Sequence, residues 1–159
     1  MNELDVLQAA RKALIERYGQ TFKTGNVFVV AYPRALPQVV DENYQLSPSG
    51  SGFDAEGGGN LRERFSFGLR ITLRVVGDTL TIHEQLLVQI NDRVQLATKA
   101  LHQHYEPEIA QQEPFFLESQ SPVRSIEADA TGTLAYVDLT FRTMVVLTLD
   151  QIIATPPQE

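Results

Sequence analysis

The 159-residue sequence predicts one α+β domain, a mostly antiparallel sheet of about four strands with two helices on one face and a long flexible loop. The clearest evidence is Arg64–Val76, where apolar and polar side chains alternate as in a strand with one face on a core. Two segments flanking this strand in the chain repeat apolar residues at helical spacing. The Ser- and Gly-rich tract Asp41–Glu63 is too long for a simple connection between elements.

The first half of the chain supplies a helix, a strand and the loop. Asn2–Tyr18 has an apolar stripe and acidic residues in its first turn, and Gly19 is placed to end the predicted helix. Asn26–Tyr32 is rich in β-branched and aromatic residues and stops at Pro33, which predicts a strand. We interpret residues 41–63 as a flexible arm.

The second half begins with a long helix. Thr81 and Glu84 match a capping box, and apolar residues then recur at helical spacing until the helix ends near His104. A turn signal after the next extended segments predicts that the last strand forms an antiparallel hairpin. The remaining predicted segments are two extended stretches, a long final strand and a frayed tail: Phe115–Leu117, Val123–Ala128, Leu134–Leu149 and 154–159.

Composition excludes several classes of function. A net charge of −7 argues against a dedicated nucleic-acid binder, because neutralising phosphates requires a basic surface. The absence of cysteine excludes disulfides and thiolate metal sites, and it suits assembly in a reducing cytoplasm. We expect neither a signal peptide nor a membrane span, since no apolar run approaches the roughly 20 residues that a span needs.

No catalytic or cofactor motif is present in the sequence. His102 and His104 lie two residues apart, so on a helix they point about 200° from each other and cannot share a metal ion. In an extended segment they could converge, but no third ligand is fixed. We therefore interpret both histidines as part of a solvated helix end and predict no catalytic, cofactor or metal site.

Arg64, Arg70 and Arg74 lie at even positions and therefore form a row on the polar face of the predicted strand. Arg62 joins this row if the strand begins early. Two interpretations stay open: a solvated sheet face, or a contact surface for an acidic neighbour such as another copy of this chain. The arm also has two interpretations, a solvent-exposed insertion or a binding segment anchored by its apolar residues.

The order of these elements resembles that of the tail-terminator proteins of long-tailed bacteriophages. The resemblance covers most of the chain and is one of pattern, without a diagnostic motif. Its matching segments are the N-terminal helix, the arm, the alternating strand, the long helix and the two final extended segments: 2–19, 41–63, 64–73, 85–102, 123–127 and 136–141.

The resemblance implies a non-enzymatic virion protein without a cofactor, which forms a hexameric ring on the tail tube, stops its polymerisation and docks the head–tail connector. Implied partners are other copies of the chain, the tail tube protein, the connector or neck protein and a sheath where the tail has one. DNA would pass through the lumen without specific binding. Alternatives are another neck, baseplate or secretion-system adaptor, and a small-ligand or enzymatic domain. Predicted tube or neighbour contacts are Phe53, Asn60, Leu61, Arg62 and Arg64; predicted contacts between subunits are Arg70 and Arg74.

Overall fold

Two helices and a six-stranded sheet build the α+β fold, as the computed structural model shows for residues 3–34, 42–55, 60–75, 80–125 and 133–148. The predicted fold class is confirmed, although the sheet has six strands instead of about four. A short 3₁₀ turn at Pro107–Ile109 follows the second helix. The elements are α1 Glu3–Arg17, β1 Val27–Val29, β2 Glu42–Ala55, β3 Asn60–Val75, α2 Leu80–His102, β4 Phe116–Gln120, β5 Arg124–Ser125 and β6 Thr133–Thr148.

The sheet is centred on β3, which pairs along its length with β2 on one side and β6 on the other. The strand order is β1-β2-β3-β6-β4, and β5 also pairs with β6. All pairs are antiparallel except β1 with β2. The predicted final hairpin is therefore present, as the pairing of β5 with β6.

The prediction of an unstructured arm over residues 41–63 is wrong for most of its length. Residues 42–55 form β2, and β3 already begins at Asn60; Asp41 and residues 56–59 lie outside the described residues. The segment has the composition of a loop for two reasons. A register shift between Pro48 and Gly50 introduces turn-forming residues into the strand, with Gly50 at a φ of 130° that favours glycine.

The second reason lies in the side chains of β2 before this bulge. Asn43, Gln45 and Ser47 are polar yet buried, on the sheet face opposite the helices. A strand whose partly buried outer face is polar carries few of the apolar residues that reveal strands in a sequence.

The core lies between the sheet and the two helices, which contact each other and the same sheet face. At its centre the ring of Phe67 lies 5.5 Å from that of Phe115 and 5.6 Å from that of Phe141. Nearer α1, the rings of Phe22 and Tyr44 meet edge to face at 4.7 Å. The predicted core face of the alternating strand is confirmed, since its buried residues are Phe65, Phe67, Leu69, Ile71 and Leu73.

Both predicted helices are present, with one error at the start of α2. Because α2 already includes Leu80, Thr81 lies inside the helix and cannot be its N-cap. After α1, Gly19 is required by space: a Cβ atom there would lie 2.7 Å from the carbonyl oxygen of Ile15. Of the predicted α1 stripe, Leu7, Ala10 and Leu14 are buried and Leu4 is exposed, whereas the predicted α2 stripe is buried at Leu86, Ile90, Val94, Ala97 and Leu101.

Candidate assembly interface

The face of the sheet opposite the helices carries the predicted arginine row. Arg62, Arg64, Arg70 and Arg74 alternate along β3 with its buried core residues, so they share this outer face. Arg64 is exposed and the other three are half-buried. Their proposed contacts with neighbours stay a prediction.

Arg70 is held within the chain by a bidentate pair with Asp138 on β6. Its Nε and Nη2 atoms donate to the two carboxylate oxygens over 2.8 and 3.0 Å, and its guanidinium lies 4.1 Å from the centre of the Tyr136 ring. The hydrogen bonds to Asp138 raise the pKa of Arg70 above its usual value. A contact with another subunit would therefore use the remaining Nη1 group, or would require Asp138 to release the arginine.

The residues predicted to form the arm divide between the two faces of the sheet. Phe53 pairs in register with Glu63 on the helix side, where Glu63 is buried and Phe53 is 60% exposed. Arg62 and Arg64 lie on the outer face. The guanidinium of Arg64 rests over Gly52, where an added Cβ atom would be 3.1 Å from its Nη2. The side chains of Asn60 and Leu61 lie outside the described residues.

The sheet has an open edge along the second half of β2. β1 pairs with Tyr44–Leu46, and no strand of the described residues pairs with Pro48–Ala55 on that side. Since Tyr44 and Leu46 direct their backbone groups towards β1, the bulge places those of Ser51 and Phe53 on the open edge. Pro48 occupies an edge position, where its missing N–H leaves no ladder bond unmade.

The opposite edge is also open at the same end of the sheet. β4 pairs with β6 between Leu139 and Arg142, and a single bridge joins Gln111 to Val145. Beyond that bridge, no described strand pairs with the outer side of Val146–Thr148. At this end the strands β2, β3 and β6 thus form a three-stranded extension of the sheet, with residues 51–55, 60–64 and 144–148. On the β6 side, its open edge is limited to residues 146–148, because Gln111 and Gln112 contact Val145 and Met144.

A polar cluster that sequence reasoning missed joins Lys12 of α1, which is exposed, to the buried side chains of His104 and Glu106 after α2. The Glu106 carboxylate accepts from Nζ of Lys12 over 3.1 Å and lies 3.3 Å from Nε2 of His104. His104 is buried, which corrects its interpretation as part of a solvated helix end; α2 ends at His102, whose ring contacts Phe116. The only sequence signal was a Glu near a His-x-His pattern, with no spacing that pointed to α1.

Glu106→Gln should destabilise the fold at neutral pH and weaken its response to acid. Burial opposes ionisation of Glu106, but hydrogen bonds from Lys12 and His104 outweigh it and hold the pKa of this carboxyl below its usual value. A lowered carboxyl pKa stabilises the fold above the unfolded-state value of about 4.3, and this stabilisation is lost as the pH falls through the folded pKa. We expect a loss of about 1–2 kcal/mol at pH 7 and a shallower decline in acid, measured by urea unfolding from pH 7 to 3.

The matched control for this prediction is Glu108→Gln, which removes an exposed carboxylate two residues away. Its unfolding free energy should follow that of the unaltered protein throughout this pH range. Equal effects of the two substitutions would contradict the assigned role of Glu106.

The part of the chain that the structure describes contains neither a candidate metal site nor a candidate membrane-spanning helix. No group of three or more His, Cys, Asp or Glu residues there is placed to hold a metal ion. Neither of the two described helices is long and apolar enough to cross a membrane.

Comparisons with known proteins find similarity among solved structures. No protein-family model matches the chain, and no curated protein matches it. Among solved structures, the chain is similar to one in the virion of a native gene transfer agent particle, with 12% sequence identity and a TM-score of 0.49 over 86% of this chain and 94% of that chain.

Proposed function

We propose that this protein is a non-enzymatic tail terminator, a virion protein whose ring caps the tail tube of a long-tailed phage or a phage-like particle. The open edge of β2 at the end of the three-stranded extension carries the proposal. An unpaired edge of this length is a ready template for a strand from another chain. Exposed Phe53 beside that edge adds an apolar contact that the monomer does not bury.

Ring closure requires a heterologous contact, in which one surface of each copy meets a different surface of the next. The two open edges of the extension, on β2 and on β6, provide such a pair. Both strands are antiparallel to β3, so they run in the same direction. Rotation about the ring axis preserves this direction, and the proposed junction therefore pairs parallel strands. A dimer formed by two β2 edges would instead pair antiparallel strands.

The predicted residues take the following proposed roles. Phe53, Asn60, Leu61, Arg62 and Arg64 contact the tube or a neighbouring subunit, since all of them belong to the extension. Arg70 and Arg74 contact acidic groups of the adjacent subunit across the outer face. The ring seats on the tail tube protein, receives the connector on its other side and lets DNA pass, with no specific nucleic-acid contact.

Negative-stain electron microscopy and native mass spectrometry of the purified protein test this function. A hexameric ring would have a mass of about 107 kDa, six times the 17.8 kDa of one chain. Added to polymerising tube protein, the rings should sit at tube ends and limit tube length. A protein that stays monomeric at all concentrations and leaves the tube-length distribution unchanged would contradict the proposal.

A further inference from the structure

A cleft of about 470 Å³ lies beside β1. It is separate from the edge of β2 that forms the proposed ring junction. It is bounded by residues of α1, by β1 itself and by the segment that follows β1. Two arginines lie on its walls in a chain whose net charge is −7. The lining residues are Gln8, Arg11, Thr24, Val27, Phe28, Val29, Val30 and Arg34.

The floor of the cleft is the outer edge of β1. Asn26 and Val30 bond to β2, through Tyr44 N to Asn26 O over 2.8 Å and Val30 N to Leu46 O over 2.9 Å. In a parallel pair the intervening odd positions face away from the partner, so the backbone groups of Val27 and Val29 point outward. Arg11 donates through Nε to the carbonyl oxygen of Val27 over 3.1 Å and through Nη2 to that of Thr24 over 3.0 Å. Nothing among the described residues bonds to the outward backbone groups of Val29.

Arg34 lies on the wall of the cleft opposite α1, and the buried side-chain amide of Gln45 holds its backbone in place. The Gln45 side chain, which has no exposed surface, accepts from Arg34 N over 2.8 Å and donates to Arg34 O over 2.6 Å. Its Nε2 also donates to Oδ1 of Asn43 over 3.1 Å. This clamp holds the Arg34 backbone in place while the exposed side chain lines the cleft. No described residue forms an ion pair with the Arg34 guanidinium.

We propose that this cleft binds an extended acidic segment of a partner protein, which adds a strand to β1. The segment would pair with the backbone of Val29, and its carboxylates would bind Arg34 and the remaining Nη1 group of Arg11. Charge complementarity supports this occupant, because both charged side chains that line the cleft, Arg11 and Arg34, are cationic. This binding site is distinct from the proposed ring junction, because the edge of β1 is separate from the open edge of β2 at Ser51–Ala55.

The experiment titrates the full-length ¹⁵N-labelled protein with a hexapeptide of alternating valine and glutamate, and separately with its valine–lysine counterpart. The glutamate peptide should shift the amide signals of Val29 and Val30, and the lysine peptide should not. Arg34→Glu should weaken binding about tenfold or more, in line with the loss of a charge-assisted bond. Val29→Pro removes an outward N–H that makes no hydrogen bond to β2, and it should weaken binding to a similar extent.

The matched control is Arg124→Glu, the same charge reversal at an exposed position of β5. It should leave the affinity unchanged, and thermal unfolding of all three variants checks that they fold. Equal weakening by Arg34→Glu and Arg124→Glu would overturn the proposal, as would equal binding of both peptides or no shift at Val29 at millimolar peptide. Peptide-induced shifts at Ser51–Ala55 in place of Val29, or shifts of Val29 that depend on protein concentration alone, would also overturn it.

Discussion

Phe67→Ala should lower the free energy of unfolding by about 3–5 kcal/mol. Phe67 is 1% exposed, and its ring contacts those of Phe115 and Phe141 at the centre of the core. The substitution removes a large apolar side chain and leaves a cavity. Phe141 belongs to β6, which is paired with β3 along its length and cannot collapse into the cavity without breaking that register. Urea unfolding followed by far-ultraviolet circular dichroism measures the loss.

Phe53→Ala is the matched control, because Phe53 lies on the same side of the sheet but is 60% exposed. Its truncation should change the free energy of unfolding by no more than about 0.5 kcal/mol. Similar losses for the two variants would show that Phe53 is covered within one subunit. That result would also remove its apolar surface from the proposed interface.

The elements with regular apolar patterns could be predicted from the sequence. The stripe of α2 and the alternation of Arg64–Val76 each result from one apolar and one polar face, and a single chain is enough to reveal such a period. The capping box failed because a helix start depends on the residues that precede it as well as on the motif. With Leu80 already helical, Thr81 becomes an ordinary first-turn residue.

β2 and the Glu106 cluster could not be predicted because their stabilising partners are distant in the chain. β2 is ordered by its register with β3, and the buried amide of Gln45 is satisfied by the distant backbone of Arg34. Glu106 pairs with Lys12 across 94 residues of sequence. Likewise, the arginine row could be predicted because its members alternate with apolar residues in the sequence. The pairing of Arg70 with Asp138 could not, because it depends on which strand lies beside β3.

The consequence for the proposed interface is that the segment predicted as an arm acts as a strand edge. A flexible arm would bind through side chains and pay the entropy of ordering when it meets its partner. A preformed edge pays most of that cost during folding, so its outward backbone groups are already aligned for a second chain. Assembly should therefore be more sensitive to changes in the backbone of β2 than to changes in its exposed side chains.

Ser51→Pro should eliminate rings while it leaves the subunit folded. The N–H of Ser51 faces the open edge, so proline removes no bond to β3, but its ring occupies the space where the strand of the next subunit would lie. Each lost 1.4 kcal/mol weakens a junction about tenfold, and the effect recurs at every junction of the ring. Ser51→Ala, which keeps the N–H, should assemble normally. Native mass spectrometry and circular dichroism measure assembly and folding separately.

A single cysteine distinguishes the ring from a symmetric dimer, because the chain has no cysteine of its own. In the proposed junction, β3 and β6 separate the β2 strands of adjacent subunits by about 14 Å, three strand spacings, which is too far for a disulfide between copies of Phe53→Cys. Oxidised rings of this variant should therefore run as single chains on a non-reducing gel. Abundant disulfide-linked pairs, or intact rings of Ser51→Pro, would show that the subunits meet elsewhere than at the edges of β2 and β6.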